Sequence, residues 1–125
     1  MGVQMLAVAV GGAVGSALRY ATTLGAARLL GTSFPLGTFL VNVLGCLVAG
    51  FIFGVAEEHG ALPPLVRILL LTGFLGGYTT FSTFAVETIA LLQDGSWVVA
   101  LGSLLGNILA GGAFAFAGIY LGRAV

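Results

Sequence analysis

Four long apolar runs, separated only by short polar interruptions, set the bounds on what this chain can become. A helix that crosses a bilayer needs roughly 20 predominantly apolar residues. The runs at about Val3–Leu24, Leu36–Val55, Leu65–Leu92 and Val98–Leu121 all meet that requirement. The first has no basic lead-in, and Arg19 and Tyr20 stand where a signal peptide would carry small cleavage residues, so it reads as a retained span. Pro35 suits the first turn of the second helix. Glu57, Glu58, His59 and Gly60 end that helix, and Pro63 and Pro64 open the third run. Gln93, Asp94, Gly95 and Ser96 make a turn, Trp97 is an interface anchor, and Arg123 closes the fourth run. The alternation of a β-barrel strand is absent. The expected fold is an all-α membrane protein, one transmembrane domain over residues 1–125 with four helices and short loops.

Composition supports the lipid bilayer as solvent. Apolar types make up 59% of the chain and charged types 6%, against about 25% charged in a typical soluble domain. There is no lysine, and four arginines balance four carboxylates, which leaves no basic patch for nucleic acid. Cys46 stands alone, so a disulfide framework and a cysteine zinc site are excluded. Glu57, Glu58 and His59 read as a solvated loop, because neighbouring positions rarely converge on one metal. With no nucleophile–base pair, phosphate loop or dinucleotide fingerprint, no enzyme is expected.

Glycine occurs 21 times. Gly11 with Gly15, Gly50 with Gly54, Gly102 with Gly106, and Gly118 with Gly122 are all small-xxx-small pairs, which let helix backbones approach closely where lipid offers no hydrophobic drive. The arginines are less orthodox. Four spans put Arg67 and Arg123 on one side and Arg28, with Arg19 near the end of the first span, on the other. Basic residues normally fix topology, and a count of two against two fixes nothing. Either the chain is too short for the bias to register, or it inserts both ways up and pairs as an antiparallel dimer.

The third run carries the unusual chemistry. Its centre, Thr72-Gly73-Phe74-Leu75-Gly76-Gly77-Tyr78-Thr79-Thr80-Phe81-Ser82-Thr83-Phe84, is unlike a lipid-facing helix. Each glycine of Gly76-Gly77 costs about 1 kcal/mol relative to alanine, and strong helix formers are missing from the four positions after them. The spacing predicts a helix break at Gly76-Gly77, near mid-membrane. Freed carbonyls and amides at that depth survive only inside protein or against a polar cavity, and unwound carbonyls there commonly hold a cation; a Ser/Thr-stabilised kink without ligand is the other reading. Phe81 and Phe84, spaced i, i+3, share a face. They are either core or lipid contacts, or rings whose positive edges receive a small anion beside the hydroxyls of Thr79, Ser82 and Thr83.

The string from Gly73 to Phe84, followed by Glu87, resembles the signature of the Fluc/CrcB family of fluoride ion channels. Gly37-Thr38-Phe39-Leu40-Val41-Asn42-Val43-Leu44-Gly45 is similar to the family's second-span motif, and Gly11-Gly12-Ala13-Val14-Gly15-Ser16-Ala17-Leu18-Arg19-Tyr20 to its first. The resemblance implies a dual-topology antiparallel homodimer in the bacterial inner membrane, with two fluoride pathways each lined by both subunits. It implies a structural sodium ion at the dimer axis, held by backbone carbonyls that fall here on Gly76 and Thr79. Phe81 and Phe84 match the pore phenylalanines and Asn42 the pore asparagine, with Thr38, Ser82 and Thr83 in the same pathway. Along the fourth span the family often carries a line of hydroxyls, where this chain has Ser103 and Asn107 and then only Gly111 and Ala115. Glu87 lines a vestibule or fixes local structure, and Arg19 either concentrates anions at a vestibule or snorkels. The expected activity is passive fluoride export. The competing readings are a small dual-topology proton-coupled drug exporter, for which Glu87 is the sole candidate for the required buried carboxylate, and a non-transporting packing subunit.

Overall fold

The computed structural model describes residues 1–60 and 62–125. It is all-helical, with four helical stretches long and apolar enough to cross a membrane: Gly2–Leu30, Leu36–His59, Pro64–Gln93 and Trp97–Ala124. The first, second and fourth are here called α1, α2 and α5. The third is discontinuous, with α3 over residues 64–78 and α4 over Phe81–Gln93.

Short connections force neighbouring helices to run antiparallel. Pro64 takes the first helical position of α3, where a missing N–H costs nothing. The turn after α4 depends on Gly95, whose φ of 78° suits glycine. Ser96 N–H reaches back to Leu91 O at 2.8 Å and Gly95 N–H to Leu92 O at 3.1 Å, so the last carbonyls of α4 are satisfied before the chain reverses.

Two tight helix pairs make the bundle, and glycine makes each of them. In α1 against α3, a Cβ on Gly11 or Gly15 would strike the backbone at Leu69 or Phe74, and one on Gly77 would come within 2.6 Å of Gly12 O. In α2 against α5, Gly50 and Gly54 lie on the backbone at Ala115 and Ile119, and Gly118 and Gly122 on that at Leu47 and Phe51. These are the expected small-xxx-small seams. Gly102 and Gly106 behave differently. They face the rings of Phe34 and Phe39, at 3.6 and 3.3 Å from a hypothetical Cβ, so this pair makes room for aromatic side chains rather than for a backbone. Those two rings meet edge to face with centroids 6.1 Å apart.

The expected break at Gly76-Gly77 lies elsewhere. Gly76, Gly77 and Tyr78 are helical, and the chain is extended at Thr79 (φ −83°, ψ 159°) and Thr80 (φ −151°, ψ 114°). Gly77 is required for the close approach of α1, not for unwinding. Wide π-type turns cover Ile68–Leu75 in α3 and Gly106–Ala110 in α5, and each adjoins residues of the candidate site.

The expected two-against-two division of arginines does not hold in three dimensions, because Arg19 belongs to neither side. Arg123 pairs with Glu57 at 2.6 Å, and Glu57 and Arg67 line one cavity, so the ends of α2 and α5 and the start of α3 share one side. Arg28 lies at the other side. Arg19 is not near a helix end, because α1 continues to Leu30. It sits nine residues, about 14 Å, inside Arg28.

Overpacking a seam glycine should cost about 1–3 kcal/mol. Gly50→Val is expected to lower the thermal unfolding midpoint in detergent by that equivalent. Gly112→Ala, with open space around it, should leave it unchanged or raise it. Equal midpoints for Gly50→Val and the unmutated protein would remove the backbone seam as the support of α2 and α5.

Candidate functional site

The extended Thr79–Thr80 segment in the middle of a membrane helix leaves the Thr80 N–H and carbonyl without helical partners. Asn42 on α2 supplies the replacement. Its Oδ1 accepts the Thr80 N–H at 2.9 Å, and its Nδ2 donates to the Thr80 carbonyl at 3.1 Å. The carboxamide thus pairs with Thr80 through both of its faces, as a neighbouring strand would. The same Nδ2 donates to Asn107 Oδ1 at 2.9 Å, and Asn107 Nδ2 donates to Ser103 O at 2.8 Å. One polar chain therefore runs from the break through α2 into α5.

Thr80 also starts α4. Its Oγ1 accepts the Thr83 N–H at 3.2 Å and donates to Thr83 Oγ1 at 3.0 Å, which is an N-cap. Phe81 and Ser82 N–H, the first donors of α4, take no partner among the described residues. On the other side of the break, Thr79 N–H reaches Leu75 O at 2.9 Å, and the Thr79 hydroxyl bonds the same carbonyl at 2.9 Å. Because Thr80 N–H is committed to Asn42, the Gly76 carbonyl loses its helical donor, and the carbonyls of Gly77 and Tyr78 take no backbone donor among the described residues. The break thus shows a carbonyl end, where a cation is favoured, and an amide end, where an anion is.

Two cavities meet at Thr80. One, of about 440 Å³, is lined by Asn42, Asn107, Gly76, Thr79, Phe81 and Phe84 among others. The second, of about 320 Å³, is lined by Ser16, Arg19, Tyr20, Thr23, Thr38, Thr80, Thr83 and Glu87. Thr80 lines both. The site residues read from the sequence are thus divided between two compartments, and Ser82 and Ser103 line neither. Ser82 is exposed, and Ser103 is wholly buried with its hydroxyl unpartnered among the described residues.

Several residues occupy places other than those expected. Asn42 commits its donors to Thr80 and Asn107. Asn107 bonds Ser103 through the Ser103 carbonyl, so the two do not form parallel rungs of a track. Phe81 and Phe84 do meet, ring centroids 5.7 Å apart at 63°, yet Phe84 is buried and Phe81 is 78% exposed. Glu87 is half-buried, with Oε2 unpartnered among the described residues. Arg19 Nη1 donates to the Thr79 carbonyl at a long 3.4 Å. Glu57, expected in a solvated loop, binds Arg123 through Nε and Nη2 at 3.0 and 2.6 Å. Thr80 received no role from the sequence, although a threonine directly before an apolar-periodic segment is an N-cap signal.

A family model described as CrcB-like protein, Camphor Resistance (CrcB), matches residues 6–119. The chain belongs to this family. Curated relatives agree along nearly its full length. A Chloroflexus aurantiacus protein named Fluoride-specific ion channel FluC is 44% identical over 120 residues, 96% of this chain and 95% of the relative. Proteins of the same name from Maridesulfovibrio salexigens and a Roseiflexus species are 43% and 41% identical over 122 residues, 98% of this chain in both cases and 97% and 95% of the relatives. The shared name of these relatives is that of an ion channel, not of an enzyme.

Asn42→Leu strips the partner from both peptide groups of Thr80, at about 1–3 kcal/mol for each buried group left unpaired. In a double-mutant cycle, Asn42→Ala and Asn107→Ala should couple by about 0.5–3 kcal/mol, read from detergent unfolding. Strict additivity would show that the two carboxamides do not act as one chain.

Proposed function

We propose that this protein conducts fluoride passively across the cell membrane, as an antiparallel dual-topology homodimer, and so exports it and protects the cell from its toxicity. The observation that carries the reading is the splinted break at Thr79–Thr80 with the Phe81–Phe84 ring pair beside it. Fluoride holds water tightly, and a pathway must replace that water with donors while binding weakly enough to release the ion. Hydroxyls of Thr38 and Thr83, the first amides of α4 and the positive ring edges of Phe81 and Phe84 are such donors, and none traps the ion with a fixed charge. The relatives' shared name supports fluoride as the ion, and it lends nothing to the drug-exporter reading.

Pairing of two copies is supported by what one copy leaves bare. Gly76, Ser82 and Thr83 are exposed in the protomer, although they belong to a membrane-spanning stretch. Peptide and hydroxyl groups at that depth need protein or a polar cavity against them, and a second copy supplies it. Inverted pairing also fits the weak bias of the end arginines, Arg67 and Arg123 on one side against Arg28 on the other. The bacterial inner membrane is the location that the family resemblance implies.

The sodium reading fits the donor set. Oxygen ligands suit a hard cation, and the Gly76 carbonyl, without its helical donor and exposed, is available beside that of Thr79. These two carbonyls from each copy would hold the ion. Bound there, sodium would neutralise converging carbonyl dipoles and hold the copies together.

Liposomes loaded with fluoride and carrying the protein are expected to release it once a potassium ionophore balances charge. Phe81→Ile should slow that release about ten-fold, a barrier change of about 1.4 kcal/mol, with the dimer intact. No release from folded protein would remove the channel reading, and unchanged release by Phe81→Ile would take that ring out of the pathway.

A further inference from the structure

Arg19 is the unusual charge of this fold. Arg28, Arg67 and Arg123 stand near helix ends, whereas Arg19 lies well inside α1, half-buried. It forms no ion pair among the described residues, although Glu87 lines the same 320 Å³ cleft. Its polar partner is the Thr79 carbonyl, met by Nη1 at 3.4 Å. A guanidinium has five donors, so most of its capacity is uncommitted beside the cleft that it lines with the hydroxyl residues Ser16, Thr23, Thr38 and Thr83.

The Thr79 carbonyl cannot swing away from this contact. Thr79 N–H is held by Leu75 O, and the next residue is clamped at both peptide groups by Asn42. The guanidinium, on a flexible stem, is the partner able to move. If the cation also takes the Thr79 oxygen, two positive charges meet on one carbonyl, and their repulsion is strong where water is scarce.

We infer that Arg19 and the axial cation share the Thr79 carbonyl, so that the guanidinium weakens cation binding and the bound cation drives the guanidinium toward the polar cleft, where it favours an anion. This rests on the sodium and fluoride readings above. Arg19 acts through the carbonyl, as a positioning residue. Linkage then requires that sodium and fluoride strengthen each other's binding by the same factor, and that the coupling passes through the charge of Arg19.

Thermal unfolding of the purified full chain in detergent tests this. Sodium chloride is titrated against N-methylglucamine chloride at constant ionic strength, with and without fluoride in place of part of the chloride. The midpoint of the sodium dependence should move to lower sodium when fluoride is present. In Arg19→Gln, whose amide still donates to a carbonyl but carries no charge, the midpoint should fall about ten-fold below that of the unmutated protein and ignore fluoride. Arg19→Lys should keep both the original midpoint and its response to fluoride. An Arg19→Gln midpoint equal to or above the original, or a fluoride response that persists in it, overturns the inference. So does an unmutated protein whose sodium midpoint ignores fluoride, a result that needs no variant to fold. Stability indifferent to sodium overturns both this inference and the sodium site, while fluoride conduction is judged separately by liposome release.

Discussion

The carboxamide of Asn42 does for Thr80 what a helical turn would otherwise do. A peptide group in the middle of a membrane has no water to turn to, and an unpaired donor or acceptor there costs several kcal/mol. The chain accepts two extended residues at Thr79 and Thr80 because α2 brings one side chain with both a donor and an acceptor to the right depth. Everything chemically distinctive follows from that pairing. Once Thr80 N–H belongs to Asn42, the Gly76 carbonyl is released. Once Thr80 is extended, its hydroxyl can cap α4 and present the first amides of that helix. A single deviation from helical geometry therefore creates a cation-favouring end and an anion-favouring end side by side.

Glycine makes the approach possible. Asn42 reaches the break because Gly45, about one turn further along α2, lies against Thr79, where a Cβ would strike the threonine methyl. Gly15 and Gly77 hold α3 so close to α1 that Arg19, one turn beyond Gly15, meets Thr79. The Gly50, Gly54, Gly118 and Gly122 seam sets α5 against α2, and with it Asn107 against Asn42. Packing and polar chemistry are thus not separate layers of this fold: the seams set which side chains can bond across them.

Much of the architecture was legible in the sequence because hydrophobic length and glycine spacing are local signals. Four spanning helices, the turn at Gly95 and three of the four glycine pairs rest on such signals. The third run was legible as chemically odd, and Gly76, Thr79, Phe81, Thr83 and Phe84 from it line the two cavities at the break. Its break was displaced by about one turn, because Gly76-Gly77 looks like a breaker when propensity alone is considered and becomes a packing requirement once α1 is laid against it. The N-cap character of Thr80 pointed to the true position. The Thr80–Asn42–Asn107–Ser103 chain was not legible, since it joins positions 38 and 65 residues apart through contacts that only the tertiary arrangement creates. Arg19 looked like a helix-end residue for a related reason. An apolar run ends at its first polar residues, whereas α1 keeps its hydrogen bonds through Thr22, Thr23 and Arg28 to Leu30.

The most direct measurement is a density map of the protein in lipid nanodiscs. The account predicts two copies of opposite orientation, the third helix of each extended at Thr79–Thr80 with the Asn42 amide against Thr80, and the two interruptions facing one another across a twofold axis in the membrane plane. A third helix wound without interruption through those residues, copies of like orientation, or interruptions turned toward lipid would contradict it.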